Sequence, residues 1–110
     1  MPEDLVPKDL IAERGPALPA SAACYRTIGP FTRDTIPAGL LRRHDLKPGT
    51  WGVVTIRTGS IGFAWDDAAG GTTRLDAGQA ILVPPTVPHH LVPEGEVTLD
   101  IGFWSAGPAQ

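Results

Sequence analysis

The sequence predicts an all-β fold in a single domain, and three observations predict it. Glycine and proline are frequent, at 13 and 12 residues, and fall at short intervals. That punctuation favours many short strands joined by turns over long helices. Several segments alternate apolar and polar side chains with period two. The clearest runs from Val97 to Trp104, where Val97, Leu99, Ile101 and Phe103 interleave with Thr98, Asp100, Gly102 and Trp104. Finally, 110 residues with 42% hydrophobic content suffice for one packed core and leave no room for a second. Regularly spaced short strands of this kind form a sandwich or a barrel.

Residues 1–22 read as a flexible N-terminal arm, acidic and broken by Pro16 and Pro19. Lys8 to Arg14 has room for one or two helical turns. The arm is either mobile or swapped onto a dimer partner. Residues 23–106 form the folded domain. Cys24 to Ile28 is its first strand, ended by Gly29-Pro30. Thr35 to Gly39 is a turn. Leu40 to Leu46 is the second expected strand, with Leu40, Arg42, His44 and Leu46 on one face. After a turn at Lys47-Pro48-Gly49, Trp51 to Thr58 and Ile61 to Trp65 are expected to pair as a hairpin about Gly59-Ser60. A polar loop over 66–71 leads to a short strand, Thr72 to Leu75.

Ala80 to Val83 is an apolar run bounded by Gly78 and Pro84, as expected of a core strand. Pro84, Pro85 and Pro88 cannot donate ladder hydrogen bonds, so they stiffen a connection. That connection delivers His89 and His90 to the start of the next strand. A turn at Pro93-Glu94-Gly95 separates it from the last strand, Val97 to Trp104.

Composition removes several function classes. A net charge of −3 without a basic stripe gives no electrostatic footprint for nucleic acid. No apolar stretch approaches the ~20 residues of a membrane helix. The N-terminus does not read as a secretory leader. The single Cys24 cannot form an internal disulfide, which suits a reducing, cytoplasmic compartment. There is no Ser-His-Asp order, no Gly-rich phosphate loop and no zinc-finger spacing.

The candidate site residues are few. His44 and His89 lie on strands that would face one another, so their imidazoles would converge on a barrel interior as metal ligands. The competing reading is a hydrogen-bonded pair of core or rim side chains. Asp100 could be a third ligand or an acceptor for an imidazole N–H, against a solvated carboxylate. Arg42 could bind an anionic ligand through its planar fork, against a surface ion pair. His90 and Arg43 point away if their strands are regular. Cys24 and Trp51, Trp65 and Trp104 fit packing roles better than redox or pocket roles.

Part of this pattern resembles the second cupin motif: Gly, five residues, Pro, one residue, Gly, two residues, His, three residues, Asn. Gly78, Pro84 and His89 fall in register, while Thr86 replaces the second glycine and Pro93 the asparagine. Of the first motif only His44 survives. Leu46 stands where a second histidine would be, and Trp51-Gly52 where a glutamate would be. The chain is more specifically similar to the TehB/YeaR-like small cupins. The residues that carry this are IPAGLLRRH ending at His44, KPGTW over 47–51, WGVVTIRTGSIGF over 51–63, DAGQAILVPPTVPHH over 76–90, and DIGFW over 100–104. The resemblance implies a cupin-type double-stranded β-helix, or jelly roll, and a metal site on His44 and His89. Its members include the N-terminal domain of tellurite-resistance methyltransferases. LDAGQA at 75–80 superficially suggests a methyltransferase loop, but it lacks the second glycine and a surrounding βαβ unit.

The functional expectation is a small cytoplasmic cupin, homodimeric, that binds a divalent metal (Zn, Fe, Ni or Mn), a small anionic ligand, or both. The resemblance links it to tellurite or oxidative stress. Two alternatives stand beside this: a metal-dependent enzyme of dioxygenase or isomerase type, and a metal-free structural or regulatory module. Three ligands with open coordination positions would favour the enzyme. An empty leucine-lined barrel would favour the module.

Overall fold

The computed structural model describes residues 10–106. Six strands form one mixed sheet: β1 (Leu10–Ile11), β2 (Ala23–Thr32), β3 (Thr50–Trp65), β4 (Thr72–Asp76), β5 (Ala80–Val83) and β6 (His89–Ser105). The sheet order is β1-β5-β3-β6-β2, with β4 also on β3. Every pairing is antiparallel except β1 with β5. Among the described residues the helical content is a 3₁₀ turn at Ala38–Leu41. The all-β, single-domain expectation therefore holds. No helix among them is long and apolar enough to cross a membrane.

β3 and β6 are the frame. They pair along nearly their whole lengths, from Thr50↔Ser105 to Trp65↔His89. The other side of β3 is shared: its first half holds β5 and its second half holds β4. Between these two halves the ladder with β6 carries register shifts at Arg57 and Ser60, a bulge of the kind that bends a strand. Here the expected hairpin is corrected. Gly59 has φ of +74°, and a Cβ there would collide with the backbone oxygen of Glu96. A left-handed glycine serves a bulge as well as a turn, and sequence pattern does not separate the two. The turn expected at Pro93-Glu94-Gly95 is likewise absorbed into continuous β6, opposite the bulge.

The strand expected over Leu40 to Leu46 is also corrected. Leu40 N–H bonds the oxygen of Pro37 at 3.0 Å, closing the 3₁₀ turn. The sole ladder contact of the segment is an isolated bridge between His44 and His89. Pro37 and Gly39 favour a turn, and Arg42 and Arg43 are exposed, so little apolar surface rewards an extended strand. The alternation nonetheless orients the right side chains: Leu40, His44 and Leu46 all face one cavity.

The core has two parts on opposite faces of the sheet. Inside lie Val54, Ile56, Ile61, Phe63, Trp65, Leu75, Ile81, Val83, Leu91, Val97, Leu99 and Ile101. Trp51, Val53, Ala80, Leu82 and Trp104 form the second cluster, the other members of the same alternation on β3, β5 and β6. Leu10, Leu18 and Ala22 pack against this second cluster.

The described part of the expected arm is thus in contact with the body. Trp51 Nε1 donates to Pro16 oxygen at 2.9 Å, and Trp65 Nε1 to Glu13 Oε1 at 2.9 Å. Thr73 donates to the same carboxylate, and these two bonds, that from Thr73 foremost, hold Glu13 below the usual carboxylate range. Arg14 forks onto Asp67 at 2.7 and 3.1 Å, and its guanidinium carbon stands 4.7 Å from the centre of the Trp65 ring. That fork, aided by the Gly70 N–H, lowers Asp67 to about 2. Residues 1–9 lie outside the described residues.

Candidate functional site

A cavity of about 180 Å³ opens between the inner faces of the frame strands. β3 contributes Gly52, Val54 and Phe63; β5 contributes Val83; β6 contributes His89, Leu91, Ile101 and Phe103. Leu40, His44 and Leu46 close it from the segment before β3. Gly52 keeps the space open, since a Cβ there would press on Leu46 Cδ1 at 3.3 Å. The cavity wall is almost wholly apolar, and its polar exceptions are the two histidines.

His44 and His89 are fixed to each other twice. Their backbones exchange two hydrogen bonds, His44 N–H to His89 oxygen at 3.0 Å and His89 N–H to His44 oxygen at 2.9 Å. Their rings meet edge to face at 4.2 Å. His89 is also stacked on Phe63, 5.2 Å away and 11° from parallel, with the Trp65 ring edge-on at 6.2 Å. Its exposure is 4%.

The tautomers follow from the hydrogen bonds. Nδ1 of His44 lies 2.8 Å from the Arg42 carbonyl oxygen, and Nδ1 of His89 lies 2.8 Å from that of Val87. A carbonyl oxygen only accepts, so each Nδ1 carries the hydrogen. Each Nε2 of a neutral ring is then a bare lone pair. Neither Nε2 has a hydrogen-bond partner among the described residues. Burial pushes His89 down to about 4, with the neighbouring His44 a smaller contribution in the same direction. His89 is therefore neutral at pH 7.

The other expected site residues lie elsewhere. Asp100 alternates with inward Ile101 on β6 and is held by Arg57, whose Nη2 is 2.6 Å from Oδ2. Gly29 is what lets β2 pass so close to it, because a Cβ there would sit 3.0 Å from that of Asp100. Arg42 is exposed and meets the site through its carbonyl oxygen rather than its guanidinium. His90 faces away from His89, with Nδ1 2.7 Å from Asp66 Oδ2. Among the described residues, no group of three or more His, Cys, Asp or Glu is placed to hold a metal ion.

Sequence reasoning missed the aromatic walls Phe63 and Phe103. Alternation held the signal, since Phe63 shares a face with Ile61 and Trp65, and Phe103 with Ile101.

A bridged histidine on a rigid turn, opposite a second that opens the longest strand, is set in an order that a family model matches over residues 26–101. The chain belongs to the TehB-like domain family. Its fold is shared with TehB from Haemophilus influenzae, at a TM-score of 0.70 and 22% identity over 76% of this chain. This TehB-like chain spans 31% of that protein. A protein from E. coli strain K12 matches with a TM-score of 0.73 and 22% identity, covering 84% of this chain and 98% of its own length. No curated protein matches the TehB-like chain at a significant level.

Proposed function

We propose that this TehB-like chain is a cupin-type jelly roll that binds a small molecule in the cavity lined by His44 and His89. The bent frame of β3 and β6 around an apolar interior supports the jelly-roll reading. One observation carries the functional one: two imidazoles, each pinned through Nδ1 to a backbone carbonyl oxygen and each with Nε2 left over, are the polar side chains that line an otherwise apolar cavity. Among the described residues no buried side-chain nitrogen or oxygen is left without a partner, so these two nitrogens stay open to solvent or to a ligand entering the cavity. The family resemblance adds a cytoplasmic homodimer working in the response to tellurite or oxidative stress.

The test is amide chemical-shift mapping with three probes: phenol, benzoate and tellurite. Shifts centred on His44, Phe63 and His89 with any probe support a ligand pocket there. No shifts at the pocket with all three overturn it and leave the structural module.

A divalent metal on the same two nitrogens is a second reading, favoured by the pair of free Nε2 atoms. The residues present do not fit a full centre, however: they supply two ligands where catalytic zinc typically has three from protein. Elemental analysis of protein purified without a histidine tag tests it, with stoichiometric Zn, Fe, Ni or Mn as the supporting result.

A further inference from the structure

The pocket's chemistry narrows what it accepts. We infer that the cavity takes an uncharged, single-ring molecule bearing a hydroxyl or N–H donor, of the phenol or catechol class, and rejects anions. This rests on the ligand-pocket reading above and goes beyond it by naming the ligand class.

Polarity comes first. With both Nδ1–H groups committed to carbonyl oxygens, each imidazole in its neutral form has Nε2 left as an acceptor, and no other polar side chain among the described residues lines the cavity. An anion brings only further acceptors, so it meets lone pairs with lone pairs. Among the described residues no arginine or lysine lines the cavity, and Arg42 is exposed outside it. Transfer of an unpaired carboxylate into such surroundings is strongly unfavourable. A hydroxyl, in contrast, donates to one Nε2 and leaves its ring to the apolar wall. A catechol can donate to both.

Size and shape come second. An apolar cavity of roughly 150 Å³ in another protein holds benzene, and this one measures about 180 Å³. That leaves room for one ring and one or two substituents. Phe63 and Phe103 give the ring aromatic neighbours, and Phe63 already stacks on His89.

Calorimetric titration of the wild-type chain with benzene, phenol and benzoate tests the inference, alongside the same series on His44→Leu. Phenol is expected to bind roughly five- to tenfold tighter than benzene, the increment of one hydrogen bond. Benzoate should not bind at millimolar concentration. In His44→Leu the preference for phenol should shrink while benzene still binds. Long-range nitrogen-15 spectra of the free protein should show Nδ1 protonated and Nε2 bare on both rings, which needs neither ligand nor variant. Equal affinity for phenol and benzene, benzoate binding as tightly as phenol, or a protonated Nε2 on either ring of the neutral pair would overturn the inference and leave the pocket reading standing. Failure of benzene and phenol together would also overturn the inference, and the pocket reading would fall with it only if benzoate and tellurite failed to bind there as well.

Discussion

His44 and His89 hold each other through two backbone hydrogen bonds of 3.0 and 2.9 Å and an edge-to-face ring contact at 4.2 Å. The bridge makes the segment before β3 part of the cavity wall without making it a strand. It also places one buried imidazole where protonation is costly. Burial, then the neighbouring His44, lowers His89 to about 4 from the ordinary imidazole value of 6.5. Between these values the unfolded chain binds a proton that the folded chain refuses, so stability falls as pH drops from about 6.5 to about 4. The full loss for this group is about 3 kcal/mol. Urea unfolding at steps from pH 7.5 to 4 is expected to show that decline, and His89→Phe is expected to flatten it. A wild-type profile that stays level across this window contradicts the assignment.

Gly59 decides whether β3 can bend. Its φ is +74°, and an added Cβ would run into the Glu96 backbone rather than a movable side chain. Gly59→Ala is expected to cost at least ~2 kcal/mol, combining left-handed strain with displacement of β6. Gly39→Ala, where a Cβ meets nothing within 4 Å, is the control and should be near neutral. Equal melting temperatures for the two variants would mean the bulge relaxes freely.

The described part of residues 1–22 covers one face of the sheet, so its loss should be felt. Leu10 and Leu18 pack on the cluster of Trp51, Leu82 and Trp104, and Glu13 receives the Trp65 indole N–H. Deleting residues 1–22 is expected to lower the melting temperature by on the order of 10 °C or more. Arg14→Ala should act in the same direction and more weakly, because its ion pair with Asp67 lies near the surface. A truncated chain melting at the wild-type temperature would return residues 1–22 to the status of a dispensable arm.

What the sequence made legible was whatever period-two alternation and proline punctuation encode. The core strand Ala80–Val83 is found where the pattern put it. His44 and His89 meet because alternation turned Leu40, His44 and Leu46 one way and the proline-stiffened connection aimed His89. Long-range outcomes were not legible. A positive-φ glycine reads the same in a hairpin and in a bulge, so Gly59 split β3 in two on paper. Leu40 to Leu46 alternates like a strand yet forms a turn and one bridge, because pairing depends on what lies alongside. The docking of Glu13 and Arg14 on Trp65 spans some fifty residues of chain and leaves no local pattern at all.

The sheet's order leaves one long edge. β2 runs ten residues, Ala23–Thr32, and among the described residues pairs with β6 alone. An open edge of that length offers unpaired backbone donors and acceptors to any second strand. Its far end is blunted by Pro30 and by the irregularity between Ile28 and Phe31, and a second irregularity between Cys24 and Arg26 falls at Tyr25, but the stretch before Pro30 is free of proline. Tyr25 stands there with 54% of its surface exposed, large for an aromatic on a small domain. Two copies meeting antiparallel across β2 would satisfy both edges with one symmetric interface, the commonest closed arrangement. Light scattering at tens of micromolar is expected to give twice the 11.6 kDa chain mass. Tyr25→Lys would bring like charges into the paired edges and should shift the mass toward the monomer without lowering the melting temperature of the isolated fold. A wild-type monomer at that concentration would show that Pro30 and the bulges alone suffice to guard the edge.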